Sequence, residues 1–441
     1  MKRNEKTILV VDDEDGIRET IREVLTDEGY RVVEAKNEAV VRDLIRKESP
    51  HLVLLDIWMP DVDGIDILKQ IKEQHPNLRV IMISGHGNIH TAVAATRLGA
   101  FDFLEKPLSL DSLLETVQRA LGDQPAVETV ATGKKAKVMK GQRRPKAVAS
   151  RRPRKMALKQ RTLKKSVVGA GHGLHSGVKT GLILHPLPPH SGILFAGIST
   201  DTIVPAHLNY VRSTGYATSL QRKGIMVRTV EHFLAALHSY GISNLLVKMH
   251  GEIPIMDGSA LEFCRLIEEA GIEEQDAEWL EIVVDKPYRM ATETGKWITV
   301  EPADTFGVRY ILNYPAPVGM QEHTYIYSGA ESFREEIAGA RTFGFVKDIE
   351  QLEKMGLANG GRLSNCILID DEKIINTDLR FPNELARHKI LDIVGDFYLF
   401  GRPIRGMVTA CMTGHSDNIS LLKEMKKGMA LNAEPRVSPS Y

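Results

Sequence analysis

Residues 134–165 carry 15 Lys or Arg side chains and no acidic one, with prolines and alanines scattered among them. A stretch like this has too little apolar surface to offset the entropy of ordering it, and its charges repel one another, so it reads as an extended connector. A single hydrophobic core cannot run through it. The chain must therefore fold as separate bodies on either side, and 441 residues allow about three domain-sized units. The expected organisation is a first body over residues 1–122, a flexible basic connector over 123–160, a second body in two halves over 161–285 and 286–428, and an aperiodic tail over 429–441.

Composition narrows the partners. The 57 basic and 57 acidic residues cancel, which argues against wholesale attraction to nucleic acid or membranes. The connector alone leaves open a peripheral contact with anionic lipid headgroups, worth up to about 1 kcal/mol per basic residue. Nucleic acid is not expected as a partner, because no helix-turn-helix or set of base-stacking aromatics accompanies the basic run. Cys264, Cys366 and Cys411 are far apart and form no CxxC pair, which suits a reducing compartment. The start "MKRNEKTILVVDDE" has no signal-peptide core, and no run of about eighteen apolar residues follows, so a cytoplasmic protein is expected.

In the first body, "TILVVD", "RVVEA", "HLVLLD", "RVIMIS" and "FDFLEK" read as strands, each followed by an amphipathic helical pattern. This is an α/β unit of five βα repeats around a parallel sheet. Reactive groups in such sheets gather at the carboxyl ends of strands, where Asp12, Asp13, Asp56, Ser84 and Lys106 fall. The motifs "VVDDE", "LLDIWMPDVDG", "MISGHG" and "LEKP", in this order, resemble the receiver domain of two-component response regulators. The resemblance implies phosphorylation of Asp56 by a sensor histidine kinase, with Mg2+ held by Asp12, Asp13 and Asp56. Lys106 is then the phosphoryl partner, Ser84 the switch hydroxyl and Phe103 the rotating aromatic side chain.

The second body mixes strand-like runs such as "TGLILHP", "NLLVKMH" and "KWITVEP" with helical ones, and is expected to be α+β, built from two similar halves. Within "LARHKILDIVGDFYLF", His388, Asp392 and Asp396 recur at intervals of four in an otherwise apolar helix. An imidazole and a carboxylate one turn apart can bind a metal ion, although such a pair alone is more often merely hydrogen-bonded. A third ligand and a position for water are needed. "RTVEHFLAALHSYGISN", "IPIMDGSALEF", "ARTFGF", "HKILD" and "TGHSDN", with "GHGLHSG" and "ATSL" ahead of them, resemble the zinc-dependent UDP-3-O-acyl-N-acetylglucosamine deacetylases of lipid A synthesis. The resemblance implies a two-layer α+β fold and Zn2+ held by His232, His388 and Asp392. It makes Glu231 the general base, His415 the general acid stabilised by Asp396, and Thr342 a partner of the oxyanion, with Lys389 adding positive charge beside the ligand helix. The implied substrate is the acylated UDP-N-acetylglucosamine, and the implied setting is the cytoplasm, with the inner membrane as the surface the basic connector would touch.

Two positions depart from that pattern. Met412 stands where the family commonly has a lysine facing the diphosphate, and Leu312 occupies the apparent position of an aromatic contact to the nucleotide; Arg402, Arg405 or Lys347 are the candidate replacements for the lost cation. These departures keep two alternatives open: a catalytically weakened zinc fold that serves as a signalling output or binding protein, and a deacetylase of a different N-acyl sugar.

Overall fold

The computed structural model describes residues 6–59, 62–85, 89–106, 108, 110–122, 157–198 and 202–429, and the chain divides into two compact units near residue 155. Most of the expected connector and the tail beyond residue 429 lie outside the described residues.

The first unit has five parallel strands in the order Arg31–Ala35, Thr7–Val11, Leu52–Asp56, Arg79–Ser84, Asp102–Glu105. The helices are α1 (Asp15–Asp27), α2 (Glu38–Glu48), α3 (Gly64–Gln74), α4 (Ile89–Arg97) and α5 (Leu110–Leu121). The continuous apolar runs of the strands follow from this layout, since both faces of the sheet are covered. Leu9, Val11, Val53, Leu55, Val80 and Met82 pack on one face, and Ile8, Val10, Leu52, Leu54, Ile81 and Ile83 on the other. A doubly wound sheet in this order leaves a crevice at the strand carboxyl ends, and Asp12, Asp56 and Ser84 stand there.

The second unit is built twice. In its first half the sheet runs Val167–His172, Lys179–Pro186, Leu245–Met249, Ile193–Gly197, Ile203–Pro205; in its second, Tyr288–Ala291, Trp297–Glu301, Met407–Cys411, Gly307–Asn313, Met320–Ile326. Both contain one parallel pair, at the same place in the order. Each half adds helices on one face of its sheet: α6 (Glu231–Tyr240) and α7 (Leu261–Ala270) in the first, α10 (Glu384–Tyr398) and α11 (His415–Gly428) in the second. Two shorter helices, α8 (Ala330–Glu336) and α9 (Ile349–Lys354), belong to the second half. One continuous core joins the halves, with Phe233 of α6, Phe263 of α7, Phe397 of α10 and Leu422 of α11 all buried. A helix enclosed in this way is apolar nearly all round, so any polar side chain on α6 or α10 must find a partner or a purpose.

The boundary expected at residue 160 is corrected. Ala157–Leu163 is a strand, paired antiparallel with Ile272–Leu280, so residues 157–160 belong to the second unit. The basic run looked fully solvated because its acidic partners are more than a hundred residues away: Lys159 Nζ lies 2.8 Å from Asp276 Oδ1, and Arg161 Nη2 lies 3.6 Å from Glu274 Oε2.

Candidate metal centre and catalytic cavity

The close crossing of α6 and α10 makes the site. A Cβ built on Gly395 would lie 2.0 Å from the Glu231 carbonyl oxygen, so only glycine lets α10 reach the first turn of α6. That contact sets Asp392 and His388, one and two turns earlier on α10, against His232. The ring centroids of His232 and His388 are 4.9 Å apart and nearly perpendicular. Asp392 Oδ1 lies 3.6 Å from His232 Nε2 and 3.5 Å from His388 Nε2, and it accepts no hydrogen bond from a described residue. A tetrahedral zinc ion with bonds of about 2.0–2.1 Å spaces its donor atoms roughly 3.3 Å apart, so this N, N, O set fits the ion. All three side chains are buried.

The neighbours fix these donors. His388 Nδ1 donates to the Ala340 carbonyl at 3.1 Å, which leaves Nε2 as the lone-pair nitrogen. Lys389 Nζ donates to Asp392 Oδ2 at 2.8 Å and lies 5.4 Å from the centre of the Phe343 ring, so its charge goes to orienting the Asp392 carboxylate. Burial opposes ionisation of Asp392, yet Lys389, His388 and His415 hold its carboxyl well below the usual range. Burial pushes His388 down to about 3, and the imidazole stays neutral, the form able to bind a metal ion.

Beside the three donors stand an imidazole and a carboxylate, His415 and Glu231. His415 Nε2 is 3.7 Å from Glu231 Oε1, and His415 Nδ1 donates to Asp396 Oδ2 at 2.9 Å. Burial alone would depress His415, but Asp396, Asp392 and Glu231 together hold it up at about 10, so it stays cationic at neutral pH. Burial raises the Glu231 carboxyl, while the His415 and His232 rings oppose the rise.

Thr218 ties the two roles together, and sequence reading had not singled it out. Its N–H donates to Glu231 Oε2 at 3.1 Å, and its hydroxyl donates to Asp396 Oδ1 at 2.6 Å. Asn418 adds a third donor to Asp396 at 2.9 Å. Glu231 and His415, with Thr342, line a cavity of about 490 Å³. Its outer wall includes Tyr216, Lys296, Tyr314, Phe345 and Leu352.

The substrate-side expectations change. Leu312 is a core residue, 1% exposed, whereas Tyr314, two positions on, lines the cavity and packs edge-on against Phe345 at 5.1 Å. Arg402 donates to the Leu280 and Glu281 carbonyls, and Arg405 sits 3.8 Å from Glu281, so neither is among the cavity-lining residues. Lys347 lies 5.5 Å from the centre of the Phe345 ring. Among the described residues, the cavity lining holds two lysines, Lys389 beside the three donors and Lys296 in the turn that follows Thr292. Met412 uses its sulfur as acceptor for the Asn313 N–H at 2.9 Å.

The first unit holds a separate acidic cluster. Asp12, Asp13 and Asp56 each offer a carboxylate oxygen, all within 4.8 Å of one another, an all-oxygen set that fits a hard cation such as Mg2+. Lys106 Nζ lies 2.8 Å from Asp12 and 2.9 Å from Asp56. Burial raises the Asp56 carboxyl, and the Lys106 hydrogen bond works against it. Ser84 is buried at the end of the adjacent strand, its carbonyl accepting from Lys106 N at 2.8 Å, and Phe103 is half-buried on the last strand.

Similarity to known proteins divides the chain at the same place. Residues 8–118 match the response regulator receiver domain, and residues 160–427 match the UDP-3-O-acyl N-acetylglycosamine deacetylase family. The UDP-3-O-acyl-N-acetylglucosamine deacetylase of Myxococcus xanthus (strain DK1622) is 44% identical over 270 residues, 60% of this chain and 86% of that one. Its counterpart from Anaeromyxobacter dehalogenans (strain 2CP-C) is 42% identical over 281 residues, 63% of this chain and 91% of that one. Among solved structures, the receiver domain of NtrX from Brucella abortus is 48% identical and covers 26% of this chain and 99% of that chain, with a TM-score of 0.26. NtrX in complex with ADP is 47% identical with a TM-score of 0.26, over 27% of this chain and 28% of that chain, so the present chain spans little more than a quarter of that protein. Through residues 160–427 the chain belongs to the UDP-3-O-acyl N-acetylglycosamine deacetylase family, and it carries a response regulator receiver domain ahead of it.

Proposed function

We propose that the second unit hydrolyses the N-acetyl group of UDP-3-O-(3-hydroxyacyl)-N-acetylglucosamine in lipid A synthesis, in the cytoplasm, with zinc held by His232, His388 and Asp392. The observation that carries this reading is the meeting of three buried donor atoms within 4.8 Å, beside Glu231 and His415 in one cavity. Zinc in that position supplies a Lewis acid that polarises the amide carbonyl and lowers the pKa of water.

The chain's own residues do the rest. Glu231, oriented by the Thr218 N–H, takes a proton from the attacking water as the new O–C bond forms. His415, its Nδ1–H committed to Asp396, gives the Nε2 proton to the amine nitrogen as the C–N bond breaks. The proton on Glu231 then passes to His415 across 3.7 Å, restoring both groups, and the acid product leaves as acetate once its carboxyl proton has gone to the free amine. Thr342 offers a hydroxyl to the negative oxygen of the tetrahedral carbon. Lys296 and Tyr314 line the same cavity and supply a cation and an aromatic face for the nucleotide end, while the base and acid, Glu231 and His415, which a pure binding protein does not need, favour turnover over a binding role.

The receiver is proposed to bind Mg2+ at Asp12, Asp13 and Asp56 and to take a phosphoryl group on Asp56 from a sensor histidine kinase. The new O–P bond replaces the N–P bond of the donor, and Lys106 neutralises the transferred oxygens. Phosphorylation then adjusts deacetylase output, and the basic connector touches the inner membrane peripherally. A direct test of the catalytic half is zinc titration of metal-free protein, following bound metal and acetate release together. One zinc per chain with parallel recovery of activity is expected, and activity that is insensitive to metal removal contradicts the reading.

A further inference from the structure

The four residues before Phe343 are unusually constrained. The Gly339 carbonyl accepts from Arg380 Nη1 at 3.1 Å, and the Ala340 carbonyl accepts from His388 Nδ1 at 3.1 Å. Arg341 N donates to Glu384 Oε1 at 3.1 Å, and Thr342 N donates to the Gly258 carbonyl at 2.8 Å. Two of these four residues face the reaction: Ala340 orients a proposed metal ligand, and Thr342 lines the cavity.

A chain of charges, buried at Glu384 and Arg341 and partly exposed at Arg380 and Asp257, holds this segment. Glu384, in the first turn of α10 and fully buried, accepts from Arg341 Nε at 2.8 Å, from Arg341 Nη2 at 3.1 Å and from Arg380 N at 2.6 Å. Arg341 also donates to the Thr377 hydroxyl and the Asp378 carbonyl, both at 2.8 Å. Arg380 reaches across to the first half, where its guanidinium donates to Asp257 Oδ2 at 2.9 Å. Asp257 is anchored by the Ser259 N–H and hydroxyl.

A buried ion pair is weak evidence for stability, since an apolar replacement of similar volume is often no worse. The placement of this one is therefore informative: it starts at the helix that bears two ligands and ends on the loop that orients one of them. His232 has no equivalent brace, and its Nδ1 has no hydrogen-bond partner among the described residues. We infer that the relay Asp257–Arg380–Glu384–Arg341 is a positioning device that joins the two halves and holds the Ala340 carbonyl against His388, thereby setting the affinity of the metal centre. The inference rests on the zinc reading above. The four residues touch neither substrate nor metal; they act through His388.

The test uses the full chain and zinc alone, with affinity read by competition against a chelator. Glu384→Gln and Arg380→Met are each expected to weaken zinc binding roughly ten- to a hundred-fold, the range seen when groups that orient a ligand are removed. At saturating zinc, KM should stay close to the unmodified value. Leu184→Ala, a core substitution in the strand Lys179–Pro186 and far along the chain from every relay residue, should lower the melting temperature and leave zinc affinity unchanged, which separates positioning from general stability. Arg380 is more than a third exposed, so its variant carries the test if Glu384→Gln does not fold. Tight zinc binding by the unmodified protein, matched within a factor of about two by the relay variants, overturns the inference and leaves the zinc reading standing. Absence of stoichiometric zinc in the unmodified protein overturns both.

Discussion

At the scale of single residues, Thr218 shows how much of the site depends on groups outside the reacting set. Its hydroxyl donates to a buried carboxylate, Asp396, at 2.6 Å, and hydrogen bonds to charged groups contribute about 1.5–3 kcal/mol. Thr218→Val keeps the backbone donor to Glu231 but leaves His415 beside a less firmly held carboxylate. A fall in kcat of roughly ten- to a hundred-fold is expected, with KM little changed, since each 1.4 kcal/mol of barrier is about tenfold in rate. An unchanged kcat in steady-state assays would remove Thr218 from the proton-handling set. Of the proposed ligands, His388 and Asp392 were legible as a pair because a helix places i and i+4 on one face and because a charged group inside an apolar helix needs a reason, whereas His232 was reached only through the resemblance of its motif. Thr218 and Asn418 were not, because a lone polar residue has no period that reveals what it faces. Lys296 and Tyr314 were missed for a related reason: each lies near a strand end, where the direction of the side chain depends on the turn and not on alternation.

At the scale of elements, the crossing of α6 and α10 decides whether a metal centre forms. Helix propensity alone says that Gly395→Ala should stabilise α10 by about 1 kcal/mol. A Cβ only 2.0 Å from the Glu231 carbonyl outweighs that gain, because overpacking a core costs about 1–3 kcal/mol. The variant should melt lower and bind zinc more weakly; a higher melting temperature would mean that the helices separate without cost.

His238 gives α6 a pH dependence. It is enclosed by Phe306, Tyr327 and Tyr398, with ring centroids 5.1–5.5 Å away, and burial holds its imidazole down at about 4. The unfolded chain takes up this proton below about 6.5 and the folded one only near 4, so between those values the unfolded state binds more protons. The stability contribution is therefore complete above pH 6.5 and is lost as pH falls through that window, by roughly 2 kcal/mol at pH 5 at the slope of a single proton. His238→Phe should remove that part of the loss, read as a smaller drop in the urea midpoint between about pH 7.5 and 5. An identical drop in both proteins counts against it. The elements themselves were readable as alternating apolar runs, whereas Ala157–Leu163 was hidden because a basic strand looks solvated until its acidic partner Ile272–Leu280 is placed beside it.

At the scale of the whole molecule, a receiver domain and a deacetylase unit share one chain, and the internal repeat of the deacetylase unit puts the equivalent helices α6 and α10 back to back. The expectation of two similar halves came from strand-like runs on both sides of residue 285; the shared strand order could not be read that way, because pairing partners leave no mark in a single strand. If the receiver governs the enzyme, then protein carrying beryllofluoride and Mg2+ on Asp56 should deacetylate at a different steady-state rate from the unmodified protein. The Asp56→Asn variant should lose that difference, and equal rates in both states would uncouple the two units. The central claim is narrower, and acetate release from the acylated UDP-sugar, measured with bound zinc for the zinc-loaded protein and for Glu231→Ala, tests it most directly. Acetate is expected from the unmodified protein, with a rate lower by roughly a hundred- to ten-thousand-fold in Glu231→Ala while zinc stays bound. No acetate from the zinc-loaded unmodified protein, or an undiminished rate in Glu231→Ala, would contradict it.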